Sequence, residues 1–237
     1  MMKRIYFLMA LLLPFLNSNA KDMIDGHEYV DLGLPSGRLW ATCNVGAEEP
    51  TEAGSYFAWG ETQPKKQYTD ENYKFNGKVE YDMDHHPYCK DITKYCSDST
   101  MGKVDSLSVL EDEDDAATAN WGKAWRMPTI DELKELKEGC RWVCCLNDSG
   151  ERIAGWIGTS LVNEKAIFLP VSDKNEHWSV FKGGYWSSSY AGGKDFKPSY
   201  YLNCTKYNQA GFLNLNDFMT IHEYWRSYGL SVRAVVR

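Results

Sequence analysis

Two clusters in this sequence carry side chains of the types that hold metals. Asp82, Asp84, His85, His86, Cys89 and Cys96 bring carboxylate, imidazole and thiol groups into one short stretch, the donor set that zinc takes. Adjacent His85 and His86 point apart in many backbone conformations, and Cys89 with Cys96 is the easiest local disulfide to draw. Thiolate ligation and a disulfide exclude one another, so the reading is against zinc. Glu111-Asp112-Glu113-Asp114-Asp115 offers the carboxylate oxygens that calcium favours. It has neither the glycine nor the ligand spacing of an EF-hand loop. The expectation is a solvated acidic run where a helix dipole favours negative charge. No metal and no cofactor is assigned.

The catalytic patterns fail in turn. His222-Glu223-Tyr224-Trp225-Arg226 opens like a zinc-protease helix, but Arg226 stands where the second His belongs. No Gly-x-Ser-x-Gly elbow surrounds any serine. Trp186-Ser187-Ser188-Ser189-Tyr190 is rich in hydroxyls, with no His or acid close in sequence. Arg126 and Glu132 fit better as a charged pair anchoring a loop to a helix than as catalytic groups, and Arg233 reads the same way. The chain is not expected to be an enzyme, and no catalytic residue is assigned.

The elements that would position these residues are short. His27 to Leu32 alternates, turns through Gly33-Leu34-Pro35-Ser36-Gly37, and returns as Arg38 to Val45, a hairpin. Ser55 to Gly60 is a short aromatic strand, and Glu61 to Lys103 is a long polar excursion without a sustained period. Ser108 with Glu111 forms a capping box for a first helix that stops at Gly122. Thr129 with Glu132, preceded by Pro128, caps a second that ends at Gly139, with Ile130, Leu133 and Leu136 on one face. Arg152 to Thr159, Lys165 to Pro170, Gly184 to Tyr190, Tyr200 to Cys204 and Ser231 to Val236 are the later strands. Strands at both ends with two helices between them predict an α+β fold.

Composition sets the compartment and removes some partners. Lys3-Arg4, the apolar run Ile5 to Leu16, and Ser18 and Ala20 are the three parts of a cleavable signal peptide over residues 1–20. Residues 21–237 then form one extracytoplasmic domain, whether periplasmic, cell-surface or secreted. Without Lys3 and Arg4 the 26 basic residues become 24 against 33 acidic, a net charge of −9, which repels nucleic acid. No later segment is apolar enough to span a membrane. Seven cysteines remain after Ala20; export permits disulfides, and the odd count leaves at least one thiol unpaired. Nine tryptophans spread along the chain predict a core with loops pinned onto it, only a minority of them at a binding face.

Four stretches carry a family resemblance: residues 30–47 (VDLGLPSGRLWATCNVGA), 56–61 (YFAWGE), 114–133 (DDAATANWGKAWRMPTIDEL), and 183–190 (GGYWSSSY) followed by 229–236 (GLSVRAVV). Together they resemble the Fibrobacter succinogenes major paralogous domain family of exported bacterial proteins. Arg126-Met127-Pro128-Thr129-x-x-Glu132 and the later Gly-Gly-x-Trp and Gly229 to Arg233 elements are remotely similar to formylglycine-generating-enzyme-like domains. The resemblance implies a single C-type-lectin-like domain with short antiparallel strands, two short helices and long loops. The enzyme's cysteine pair is not matched, since only Cys204 lies beyond Cys145. Lectin calcium motifs are not matched either: Glu49-Pro50-Thr51 lacks the Asn, and no Trp-Asn-Asp exists.

The expected function is therefore a non-enzymatic binding module for a glycan or a surface protein. The expected ligand face comprises Trp186, Ser187, Ser188, Ser189 and Tyr190, then Tyr207 and Asn208, then Tyr224, Trp225 and Arg226. The alternatives are a structural or adhesion subunit of a cell-surface assembly and, behind it, an enzyme with an unrecognised site in the excursion. N-terminal sequencing of the exported product is expected to start at Lys21; retention of Met1 or Met2 would refute the cleavable signal.

Overall fold

Glycine and aspartate punctuate the first forty residues, and the chain turns where they stand. The computed structural model describes residues 22–81, 83, 87–146, 153–171, 180–192, 199–203 and 220–237. Strands β1 (Met23–Ile24) and β2 (His27–Asp31) meet across Asp25 and Gly26, both with positive φ. In the next turn the Gly33 amide donates to Asp31 Oδ1 at 2.8 Å and the Gly37 amide to the Leu34 carbonyl at 2.8 Å. The chain then returns as β3 (Leu39–Ala41), followed by β4 (Tyr56–Phe57). The excursion is less irregular than expected. It contains a 3₁₀ turn at Asp70–Asn72 and a hairpin of β5 (Lys78–Tyr81) and β6 (Pro87–Lys90). Tyr68, Tyr73, Phe75, Ile92 and Tyr95 within it are buried.

The first helix begins later than its sequence suggests. Ser108 does not cap it: the Ser108 carbonyl accepts from the Tyr190 amide, and the Leu110 amide donates to Ser188. That stretch is thereby extended and paired. A 3₁₀ turn at Asp112–Asp114 follows, and α1 (Ala116–Trp121) is capped by Asp115, whose carboxylate accepts from the Thr118 amide at 2.9 Å. Gly122 ends the helix with φ 93°. After β7 (Trp125–Arg126), α2 (Ile130–Gly139) starts with the expected capping box between Thr129 and Glu132. A Cβ on Gly139 would sit 2.3 Å from Leu34 Cδ2, so any larger residue at the end of this helix would have to push that side-chain end aside.

The remaining strands are β8 (Cys140–Leu146), β9 (Ile153–Ser160), β10 (Ala166–Pro170), β11 (Val180–Tyr190), β12 (Ser199–Asn203), β13 (Thr220–Tyr224), β14 (Gly229–Ser231) and β15 (Val235–Val236). The fold is α+β, mostly strands with two helices. One antiparallel sheet runs β1-β2-β3-β15-β7, so a strand near the C-terminus lies between β3 and β7. A second runs β13-β12-β11-β14-β4, with β11 and β14 parallel where antiparallel pairing was expected throughout. The third is β10-β9-β8, antiparallel. Ser231 to Val236, expected as one strand, divides between the second sheet and the first.

That division places Arg233 between sheets. Its side chain is 1 % exposed. Nε donates to Asn44 Oδ1 at 2.8 Å, Nη1 to the Ala41 and Thr42 carbonyls at 3.1 and 2.7 Å, and Nη2 to the Phe168 carbonyl at 2.9 Å. Around it lie two apolar clusters. Trp59, Trp125 and Trp186 centre one, and Trp40, Leu133, Leu136 and Trp156 the other. Six of the eight tryptophans among the described residues are buried, in keeping with a core role for most of them.

The expected pair at α2 is present. Arg126 grips Glu132 with two bonds, Nη1 to Oε2 at 2.7 Å and Nη2 to Oε1 at 2.5 Å, and Arg38 Nε adds a third at 3.0 Å. Burial alone would raise the Glu132 pKa, but bonds from Arg126 and the Thr129 amide outweigh it and hold the carboxyl below its ordinary value. A carboxylate depressed in the folded state contributes stability above its unfolded pKa of about 4.3 and loses that contribution as pH falls through the folded value. The melting temperature is expected to drop below about pH 4. Glu132→Gln should melt lower at pH 7, with a shallower decline between pH 5 and 3; an unchanged acid slope would remove Glu132 from this account.

Candidate functional site

Most of the residues read as a ligand face lie inside the molecule. On β11, Trp186 is 0 % exposed and its indole N–H donates to the Phe57 carbonyl at 2.7 Å. Ser187, Ser188 and Ser189 are buried as well. The Ser187 carbonyl accepts from the Trp59 indole at 2.8 Å, and the Ser188 hydroxyl donates to Pro128 at 3.2 Å. Ser189 Oγ accepts from the Ile130 amide at 3.0 Å, satisfying one of the N–H groups that the start of α2 leaves without an intrahelical acceptor. The serine run thus stitches α2 to the second sheet. Small side chains with hydroxyls suit that seam. Tyr207 and Asn208 lie outside the described residues.

Tyr190, Tyr224 and Trp225 are half-buried, and Arg226 is 8 % exposed. The register brings two of them into line: Tyr190 pairs with Ser199 and Ser199 with Tyr224, across β11, β12 and β13. Directly paired residues on antiparallel strands share a face of the sheet. Beside this row the Arg226 guanidinium stands 5.6 Å from the Tyr190 ring centroid, 5.8 Å from Trp59 and 5.9 Å from Tyr73. Each ring face attracts the cation. Nη1 donates to the Tyr95 carbonyl at 2.9 Å, while the Arg226 carbonyl accepts from the Trp59 amide at 2.8 Å. Arg226 therefore clamps the excursion onto the second sheet.

Tyr95, which sequence reasoning did not single out, receives that clamp. It is fully buried with φ 58°, a conformation costing a non-glycine residue about 1–2 kcal/mol. Its amide donates to Asp105 at 2.7 Å. Its hydroxyl donates to Asp114 at 2.7 Å and accepts from the Glu111 amide at 2.9 Å. A lone tyrosine in a polar stretch gave no periodic signal for this role.

The acidic run is only partly solvated. Asp114 and Asp115 are buried, whereas Glu111, Asp112 and Glu113 are exposed. Glu111, Glu113 and Asp114 converge with ligand atoms within 4.8 Å of one another. The Lys94 ammonium sits among them, 2.5 Å from Glu111, 2.9 Å from Glu113 and 2.6 Å from Asp114. Lys74 bonds the other Asp114 oxygen. Burial would lower the Lys94 pKa; hydrogen bonds to the three carboxylates outweigh it and raise the value above the ordinary range. Asp114, which burial would raise, is held below its ordinary value by bonds from Lys74, Lys94 and Tyr95. Lysine supplies the positive charge that a bound cation would supply.

The zinc-like cluster divides. Asp82, Asp84, His85 and His86 lie outside the described residues, and Cys89 and Cys96 do not bond to each other. Cys89 Sγ faces Asp70 Oδ1 at 3.4 Å, and Cys96 Sγ donates to the Asp98 carbonyl at 3.2 Å. The disulfide expectation finds no counterpart among the described residues. Burial pushes the Cys140 thiol up to about 11 and raises Cys43, Cys89 and Cys145 as well, which keeps these sulfurs protonated and weakly nucleophilic at neutral pH. An open groove of about 440 Å³ on the excursion is lined by Asp91, Ile92, Thr93, Ser99, Thr100 and Lys103 among others, a mixed polar and apolar wall rather than a predominantly apolar one.

Comparison with family models, curated proteins and solved structures returns no match.

Arg226→Ala is expected to lose about 3 kcal/mol, since a charged hydrogen bond contributes roughly 1.5–3 kcal/mol and cation–π contacts add to it. For a chain of this size that is a fall of roughly 6–12 °C in melting temperature, with faster proteolysis in the excursion. Arg226→Lys should recover only part, because an ammonium lacks the planar fork; full recovery would reduce the clamp to charge alone. Calcium and chelator are expected to leave the wild-type melting temperature unmoved. A saturable upward shift with calcium would show that the folded protein binds the ion and would overturn this reading.

Proposed function

We propose that the chain is an exported, non-enzymatic binding module of the C-type-lectin-like kind, related to the Fibrobacter succinogenes major paralogous domain family, that recognises a glycan or a protein surface. The observation that carries this reading is the first sheet, in which β15 lies between β3 and β7, so that early and late strands close one frame. Two helices, a second sheet and long connections are built on that frame, the layout the resemblance implies. Export rests on the basic, apolar and small-residue segments of residues 1–20, which lie outside the described residues.

The side chains that carry the resemblance are supports in this reading. Arg126, Glu132, Trp186 and the serine run bond to other parts of the framework, and recognition is left to the connections and the sheet face above them. The proposed contacts are Tyr190, Tyr224 and Trp225, with Tyr207 and Asn208. A half-exposed ring offers an apolar body to stack on a sugar or an aliphatic chain and a polar tip to bond it. Trp186, Ser187, Ser188, Ser189 and Arg226 hold that face in place from beneath. The fold does not name the ligand; the site has to.

A structural or adhesion subunit is the second reading. It is favoured by Val143 and Leu146 on β8, which leave 46 % and 40 % of their surface in solvent.

The test is a screen of residues 21–237, expressed under oxidising conditions, against glycan and surface-protein arrays with calcium and with chelator. Saturable binding that Tyr224→Ala weakens at least tenfold, with the melting temperature within about 2 °C of wild type, is the expected result. A blank array from folded protein would overturn the glycan reading, and a stable co-purifying surface protein that tolerates Tyr224→Ala but not Val143→Asp would favour the subunit.

A further inference from the structure

We draw no further inference here: the strongest candidate, the carboxylate cluster of Glu111, Glu113 and Asp114 ahead of α1, already holds the Lys94 ammonium, and no second observation among the described residues points to another ligand there.

Discussion

The Arg233 guanidinium sits where the three larger sheets meet, and their relative placement depends on its donors finding acceptors. It leaves the chain between β14 of the second sheet and β15 of the first, and bonds back to Ala41 and Thr42 at the end of β3. A further bond reaches Phe168 on β10 of the third sheet. Asn44, which accepts from Nε, passes the connection on: its Nδ2 donates to the Ala53 carbonyl at 3.0 Å and reaches the Tyr185 hydroxyl on β11 at 3.4 Å. The Tyr185 hydroxyl in turn donates to the Pro170 carbonyl at 2.8 Å. A buried guanidinium costs several kcal/mol to desolvate, so it is tolerated only where such a set of acceptors is already assembled. Removing an acceptor would leave that buried charge short of a partner, so the bonds tie the placement of the three sheets to one another.

The same device recurs at smaller scale wherever an irregular segment must be fixed. Glu132 accepts from Arg126, Arg38 and the Thr129 amide, joining β7, the turn before β3 and the start of α2. Asp114 gathers Lys74, Lys94 and the Tyr95 hydroxyl, and Arg226 reaches the Tyr95 carbonyl from the opposite direction. Apart from β8, β9 and β11, the strands have two to five residues and form few ladder bonds, and helices of six and ten residues are too short to be stable alone. Long-range polar fasteners and large aromatic side chains take over the work that long regular elements do elsewhere. Tyr95 shows the balance: its backbone strain of about 1–2 kcal/mol is offset by its hydrogen bonds and by ring contacts with Trp59 and Phe75.

What could be read in the sequence follows the range of the interaction responsible. Local rules located α2, where the capping box, the apolar face and the closing glycine all lie within a few residues of one another. They also located β2 and β3, and β9 and β10, each pair joined by a turn that is local in sequence. The first helix was misplaced because Ser108 satisfied a local rule while its backbone paired with β11, some eighty residues away. β8 was missed although Cys140, Trp142 and Cys144 alternate with exposed Arg141 and Val143; three cysteines and an arginine mask that period. The hairpin of β5 and β6 was hidden in a polar stretch for the same reason. The charged pair at α2 was legible because its partners are six residues apart, and the Arg226 clamp was not, because its partners come from four separate stretches of chain.

That difference bears on what the candidate site means. Serine, arginine and tryptophan are residue types that bind ligands when they face solvent and that fasten structure when they do not, and type alone does not separate the two. Burial separates them here. The Ser187 to Ser189 hydroxyls, the Trp186 indole and the Arg226 guanidinium meet protein atoms, so changing them alters the framework before it alters any contact outside it. Tyr190 bridges both classes: its ring faces Arg226 and its hydroxyl lies 3.1 Å from Ser97 Oγ, while part of its surface stays in solvent. A ligand touching Tyr190 would therefore touch a ring whose position is fixed by the Arg226 clamp and the excursion. Such a ring binds without the loss of rotamer freedom that a loose side chain incurs, which is the physical advantage of mounting a contact on a fastened loop.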